Sequence, residues 1–423
     1  MKTVLNQKFT LTKDQENAFN VVYGFLMSHD TAMVLKGYSG TGKSTWIKEL
    51  VNRLPEMQRM VKLIDPNFKP MELVVTATTN KAADNLKSIL AGTKVSTIYS
   101  KLGVRLKVDA MTGEEKLDFS EAGYLFCNLL LIDEASMLQQ EMKDYITSSC
   151  KNHSKVIFIG DPDQLIAKEP SNVFTSQYTE AVLSEIVRNG SNPISEIGQQ
   201  LRESVHTGVF KKIKLDGKHL IRVDGTTFNQ LIEEEFANPN WKYRDSKILA
   251  KTNKRVTTFN SHLWNKTKKR NHFSTGDYVV NNSFLPQYKN YTSIKTDAVV
   301  KIHDSRESIN GMDYSISSYH GGIRHVFVPN DFKLKEQMLS VYRAEENMLK
   351  VTEVMNTWAD LRPMYSSTVH KAQGSTFNKV FIDLNDLKRY FNFYHFNDRS
   401  MFARLMYVAT TRAREQVIFT GDL

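Results

Sequence analysis

Three groups of residues in this 423-residue chain have the types and spacing needed to handle a triphosphate. The first is LKGYSGTGKST, residues 35–45. Its G-x-x-x-x-G-K-S spacing places backbone N–H groups and the positive end of a following helix around one anion. Gly37, Gly40 and Gly42 let the main chain turn tightly and approach a ligand. Lys43 brings a point charge to the β- and γ-phosphates, Ser44 offers a hydroxyl to Mg²⁺, and Thr41 and Thr45 complete the nucleotide-facing set. The second group is Asp133–Glu134, delivered by the apolar run in NLLLIDEASM, residues 128–137. Asp133 is suited to hold Mg²⁺ through water, and Glu134 to orient and deprotonate an attacking water. The third closes VIFIGDPDQL, residues 156–165, where Gln164 has the reach and the donor to sense a γ-phosphate. A flexible glycine loop and a surface acidic pair are the bland readings. The order strand, phosphate loop, helix, and the apolar run before each group, favour ATP with Mg²⁺.

These groups must be carried by buried strands and amphipathic helices. Residues 11–27 hold Ala18, Phe19, Val22, Phe25 and Leu26 at helical spacing, ahead of the apolar run Met33–Leu35. LVVTAT (73–78) reads as a buried strand, and NKAADNLKSIL repeats Ala82, Ala83, Leu86, Ile89 and Leu90 at helical intervals. Successive βα units predict an open α/β sheet whose ligands gather at the carboxyl ends of its strands.

Composition narrows the partners. Lysine and arginine total 56 against 46 acids, a net charge of +10, which favours an anionic partner such as nucleic acid. At this length two or more domains are expected. Two cysteines, Cys127 and Cys150, are too few for a disulfide framework or a zinc ribbon, so a reducing cytoplasm is the expected setting, the host cytoplasm if the chain is phage-encoded. MKTVLNQKFTLTKDQ lacks the apolar core of a signal peptide, and no stretch approaches the ~18 apolar residues of a membrane span, so no membrane partner is expected.

The motifs in this order resemble the superfamily 1 helicases, and within them the RecD-like branch. LTKDQENAF resembles the Q motif, in which Gln15 would read adenine. LSEIVRN (183–189) resembles motif IV, whose arginine reaches the γ-phosphate, so the resemblance gives that role to Arg188. SSTVHKAQGST (366–376) is similar to motif V, and LMYVATTRAREQV (405–417) to motif VI, where Arg412 would be the arginine finger. The family's DNA contacts map to Thr79, Asn80 and Lys81 in TATTNKAADNL, to Thr97 and Tyr99 in STIYS, to Thr252 and Asn253 in LAKTNKRVTTFN, and to Thr368 and His370 in motif V. The chain departs from the pattern at two places, with Thr78 where relatives often carry proline and Tyr99 where they often carry histidine. Such contacts grip phosphate and sugar, so little sequence specificity follows.

The resemblance implies two RecA-like P-loop domains, with a β-hairpin insertion (1B) and a small β-barrel insertion (2B). Residues 1–98 and 123–180 would form domain 1A with the ATP site. Residues 181–269 and 359–423 would form domain 2A, which supplies both arginines across a cleft. For the hairpin, residues 99–122, the pattern itself speaks: Val104, Leu106 and Val108 alternate with Arg105 and Lys107, and Leu117 and Phe119 return after a Thr112–Gly113 turn. In the family this hairpin is the pin that parts the duplex, with Met111 as its apolar tip here; a decorative hairpin is the alternative. Residues 270–358 hold short strand patterns in FSTGDYVVNNSF, TDAVVKIHDS and IRHVFVP, then a lysine- and glutamate-rich helical stretch. The implied activity is an ATP-dependent DNA helicase, moving 5′ to 3′ on single-stranded DNA and unwinding duplex in phage-type replication, recombination or repair. The alternative is a translocase that displaces bound proteins with little unwinding. The expected partners are single-stranded DNA and duplex junctions, with a single-stranded DNA-binding protein as a further candidate and a monomer as the working form.

Overall fold

The apolar runs become the centre strands of two parallel sheets. The computed structural model of the chain describes residues 11–422 apart from 91, 109–114, 127, 152–153, 168–169, 176, 188–191, 319–320 and 332. Two compact units are formed, Met1–Lys211 with Phe393–Thr411, and Lys212–Asn392 with Arg412–Leu423. Together they give the α/β, two-body architecture expected from the motifs.

In the first unit six parallel strands lie in the order Thr179–Leu183, Ala32–Gly37, Lys155–Gly160, Asn128–Asp133, Glu72–Ala77, Val95–Thr97. They read as continuous apolar runs because both faces are covered. Met33, Leu35, Leu131 and Ile159 enter one core with Phe19 and Trp46, while Val34, Leu130, Ile132 and Phe158 enter another with Met142 and Ile146. Parallel strands share one carboxyl edge, so the loops after Gly37, Ala77, Thr97, Asp133 and Gly160 all emerge on one side. The expected boundary at residue 180 falls inside the strand Thr179–Leu183, which pairs along its length with the strand leading to the phosphate loop.

The strands Arg105–Val108 and Glu115–Asp118 pair antiparallel, with Val108 opposite Glu115. Their base is anchored: Val104 is buried, Leu117 and Phe119 pack on the second core, and the Phe119 ring lies 4.8 Å from that of Tyr145. Residues 109–114, with the expected tip residue Met111, lie outside the described residues.

In the second unit five parallel strands run in the order Leu220–Val223, Ala413–Thr420, Phe377–Asp383, Ser246–Ala250, Ser366–Thr368. A separate antiparallel sheet of Arg324–Pro329, Gly311–Ser318, Ala298–Ser308, Tyr278–Asn281 and Leu361–Arg362 encloses its own core around Val300, Ile302 and Ile316. Its two edges are joined by one segment: Trp358 bridges to Phe327, while Leu361 and Arg362 pair with Asn281 and Val280. The helices Lys333–Ala344 and Met348–Thr357 lie on the outside, and only Val351 and Val354 of the second are buried. No described helix is long and apolar enough to cross a membrane.

Candidate functional site

The phosphate loop is built around a helix that starts without a side-chain cap. Helix Lys43–Ile64 begins after Gly42, and among the described residues no side chain caps its leading N–H groups, which leaves them for an anion. Gly42 has φ of +81°, and a Cβ there would stand 2.6 Å from the Gln15 carboxamide nitrogen, so glycine is required on both counts. Lys43 Nζ donates to the carbonyls of Gly37 (2.6 Å) and Tyr38 (3.2 Å). Buried Thr41 turns its hydroxyl inward, donating to the Tyr38 carbonyl at 2.9 Å, while Ser44 and Thr45 remain half-buried.

Gln15 is tied to the same loop. Its Oε1 accepts from Thr12 N–H, closing a capping box on helix Lys13–Met27, and its Nε2 donates to the Thr41 carbonyl at 3.1 Å. Both polar atoms of this buried carboxamide are therefore used inside the protein. The helix-start glutamine braces the phosphate loop from behind.

Asp133 ends the strand Asn128–Asp133, and Glu134 follows with φ of +55° and ψ of 39°, a left-handed conformation that a non-glycine residue holds at a cost of about 1–3 kcal/mol. Neighbours enforce this turn. Glu134 N–H donates to Asp133 Oδ1 at 2.9 Å, Thr78 N–H donates to the Asp133 carbonyl at 3.1 Å, and the Thr78 hydroxyl donates to the Glu134 carbonyl at 3.0 Å. Gly160 lets the next strand end come close, since a Cβ there would meet Ala135 N at 3.1 Å and the Phe174 ring at 2.8 Å. Burial, and then the Glu134 charge, push the Asp133 carboxyl up to about 7, against the opposing pull of the Lys43 ammonium and the Glu134 N–H. Glu134 Oε2 and Ser136 Oγ are buried and meet no hydrogen-bond partner among the described residues. A buried pair of carboxylates that feels the Lys43 charge, with an unsatisfied oxygen, and the Ser44 hydroxyl next in chain to Lys43 offer hard oxygens that fit Mg²⁺.

The third strand end is held by residues that motif spacing did not single out. Gln164 is buried, and its Nε2 donates to Asp161 Oδ2 at 3.3 Å. Tyr407, on helix Phe396–Thr411, donates its phenol proton to that same Oδ2 at 2.7 Å and accepts from Ser39 N–H at 2.9 Å. Arg404, one turn earlier, donates to the carbonyls of Pro162 and Gln164. Burial holds the Tyr407 phenol well above its ordinary pKa, and Asp161 adds to the effect, so the group remains a donor. Both residues lie in or beside the stretch resembling motif VI, at i and i+3 on one helix face. That spacing is the signal that could have found them.

The expected arginine fingers are placed differently. Arg188 lies outside the described residues. Arg412 is buried in the second unit, where Nη1 donates to the Ser375 carbonyl at 3.2 Å, joining the segments that resemble motifs V and VI.

The nucleic-acid candidates occupy the carboxyl ends of adjoining strands in each sheet. In the first unit Ala77 is in register with Thr97, so the turn Thr79–Lys81 stands beside Thr97. In the second Ala250 is in register with Thr368, which brings Thr252 and Asn253 beside Thr368 and His370. Thr79, Thr97, Thr252 and Thr368 each cap a helix through the side-chain oxygen, and so fix these turns. Asp386 stiffens one of these turns, accepting from Lys251 N–H, Thr252 N–H and the Thr252 hydroxyl. Loss of water around the His370 ring, together with the Lys251 charge, lowers its pKa and favours the neutral imidazole. Tyr99 packs partly buried against the second core, and burial raises its phenol pKa.

Comparison with known proteins agrees with this arrangement. Residues 10–219 match the family described as AAA domain, and residues 363–420 the UvrD-like helicase C-terminal domain. The ATP-dependent DNA helicase dda of Enterobacteria phage T4 is 23% identical over 470 residues, covering 97% of this chain and 99% of its own. The RecBCD enzyme subunit RecD of Buchnera aphidicola subsp. Schizaphis graminum is 22% identical over 478 residues, covering 98% of this chain and 74% of its own. Among solved structures, Bacteroides Pif1 helicase in complex with ADP-AlF3 and ssDNA shares the fold, with a TM-score of 0.51 and 14% identity over 97% of this chain and 92% of that one.

Proposed function

Because this chain belongs to the RecD-like branch of the superfamily 1 helicases, we infer that it is an ATP-dependent DNA helicase that moves 5′ to 3′ on single-stranded DNA and unwinds duplex. The observation that carries this reading is the shared carboxyl edge of the first sheet, where phosphate loop, acidic pair, Gln164 and the Thr79–Lys81 turn leave neighbouring strands.

In this reading the loop amides and Lys43 hold the β- and γ-phosphates, and Gln15 reads adenine by transferring Nε2 from the Thr41 carbonyl to the base. Ser44 and Asp133 would hold Mg²⁺, which when bound neutralises charge on the phosphate oxygens. Glu134 orients a water in line with the γ-phosphorus and accepts its proton as the new P–O bond forms. The bond to the β-γ bridging oxygen breaks, that oxygen leaves on ADP, and inorganic phosphate is the second product. Gln164 senses the γ-phosphate, and Arg188 and Arg412 stabilise the charge that develops on it. The DNA turns of the two units grip phosphate and sugar in alternation through the cycle, which converts hydrolysis into movement. The two units built on the parallel sheets act as the motor domains; residues 99–122 act as the pin and 270–358 as the accessory β-domain. A monomer in the cytoplasm, working with a single-stranded DNA-binding protein, completes the reading. A translocase with little unwinding is less favoured, because the chain is similar along most of its length to a protein named as an ATP-dependent DNA helicase, dda.

The test is ATP hydrolysis with and without single-stranded DNA, followed by unwinding of duplexes carrying a 5′ or a 3′ tail. Stimulated hydrolysis and unwinding of the 5′-tailed duplex are expected. Hydrolysis without unwinding, alongside displacement of a bound protein, would favour the translocase; no stimulation by DNA would overturn the motor reading.

A further inference from the structure

The turn expected to grip DNA and the turn that carries the acidic pair are joined through one side chain. Strand Glu72–Ala77 runs in register with Asn128–Asp133, setting Ala77 opposite Asp133, and Thr78 is the next residue on the way to Thr79, Asn80 and Lys81. Thr78 is buried at 7% exposure, so its hydroxyl has a protein partner rather than water. That partner is the carbonyl of Glu134, at 3.0 Å, while Thr78 N–H holds the carbonyl of Asp133 at 3.1 Å. Glu134 itself sits at φ +55°, a conformation that persists only where its surroundings over-determine it. A left-handed turn relaxes when a holding bond is lost, and its carboxylate moves with the main chain. One residue on, Thr79 Oγ1 caps helix Asn80–Ile89 by accepting from Ala82 N–H, so the start of this helix, where an anion would bind, is continuous with the peptide that carries Thr78.

We propose that Thr78 is a positioning residue that transmits occupancy of the Thr79–Lys81 turn to the Glu134 main chain, so that binding of single-stranded DNA aligns the general base and accelerates hydrolysis. The proposal rests on the helicase reading above and adds the path by which DNA reaches the chemistry. Valine keeps the shape of threonine and removes the hydroxyl donor; serine keeps the donor.

The experiment measures steady-state ATP hydrolysis by the full chain and its Thr78→Val and Thr78→Ser variants, with and without oligothymidylate. For Thr78→Val the ratio of kcat with DNA to kcat without it is expected to fall at least about threefold, the scale of one buried hydrogen bond. KM for ATP and affinity for oligothymidylate are expected to stay within about twofold, and Thr78→Ser to restore the ratio. An unchanged ratio in Thr78→Val overturns the proposal. So does an equal loss in the valine and serine variants, or an equal fall in kcat with and without DNA. Should valine prevent folding, Thr78→Ala makes the same comparison. A parent protein that DNA does not stimulate sinks the helicase reading and the proposal together, whereas a stimulated parent with an unaltered valine variant sinks the proposal alone.

Discussion

Tyr407 donates its phenol proton to Oδ2 of Asp161 at 2.7 Å across 246 residues of chain, and the phenol oxygen of Tyr407 accepts the amide proton of Ser39 at 2.9 Å. One buried hydroxyl thus ties the phosphate loop to the strand end that carries Gln164. Removing it takes the acceptor from the half-buried Ser39 N–H and leaves Asp161 Oδ2 with only the Gln164 Nε2 donor among these contacts, a loss of about 1–3 kcal/mol. Tyr407→Phe is therefore expected to lower the melting temperature and to cut ATP turnover about tenfold, with oligothymidylate affinity unchanged. Unaltered melting and turnover would show that the contact is incidental.

Lys43 and Glu134 test whether nucleotide chemistry can be separated from strand binding. Lys43→Ala should lose hydrolysis and unwinding while retaining DNA binding, because the phosphate loop and the DNA turns leave different strands. Glu134→Gln should still bind nucleotide but hydrolyse it ~10² to 10⁴ times more slowly, since the amide cannot accept the water's proton. Single-turnover hydrolysis read by phosphate release checks both; near-parental rates in Glu134→Gln would remove it as the base.

Asp133 gives a pH-dependent stability with a definite sign. Its folded-state pKa is raised from 3.8 to about 7, so between these values the folded chain binds more protons than the unfolded chain. Stability without nucleotide is then lost as pH rises through that window, and Asp133→Asn removes the loss. The asparagine variant should melt at the parental temperature near pH 4 and progressively higher than the parent toward pH 8, while losing Mg²⁺-dependent hydrolysis. Thermal melts across that range are the measurement, and a difference independent of pH would contradict the assignment.

The hairpin tests whether motor and wedge are separable. Its strands end at Val108 and Glu115, and its base is anchored by Leu117 and Phe119. Replacing residues 109–114 with a short Gly-Ser turn should leave DNA-stimulated hydrolysis nearly intact and slow strand separation severely, because splitting each pair must meet a stacking cost of ~1.4 kcal/mol. Parental unwinding of a 5′-tailed duplex by the shortened chain would make the hairpin decoration.

The local chemistry of the ATP site was legible because it is carried by short contiguous runs. Gly42, Lys43 and Ser44 owe their arrangement to a strand, a turn and a helix start within one stretch, and Asp133 and Glu134 to an apolar strand that can end only at the sheet edge. The alternating residues around Val104 and Phe119 announced a hairpin for the same reason. What spacing could not reveal are relations between distant segments. The phenol of Tyr407 on Asp161, the Arg404 guanidinium on the carbonyls of Pro162 and Gln164, and the bond from Thr78 to the carbonyl of Glu134 each depend on which strands become neighbours. The left-handed turn at Glu134 is likewise invisible in its residue type, since glutamate has no preference for positive φ, and only packing around the turn holds it there. Gln15 shows the same division: the stretch LTKDQENAF singles it out by resemblance, but only the folded chain brings its carboxamide against the phosphate loop, because that contact joins two segments whose approach is decided by the sheet and the core beneath it.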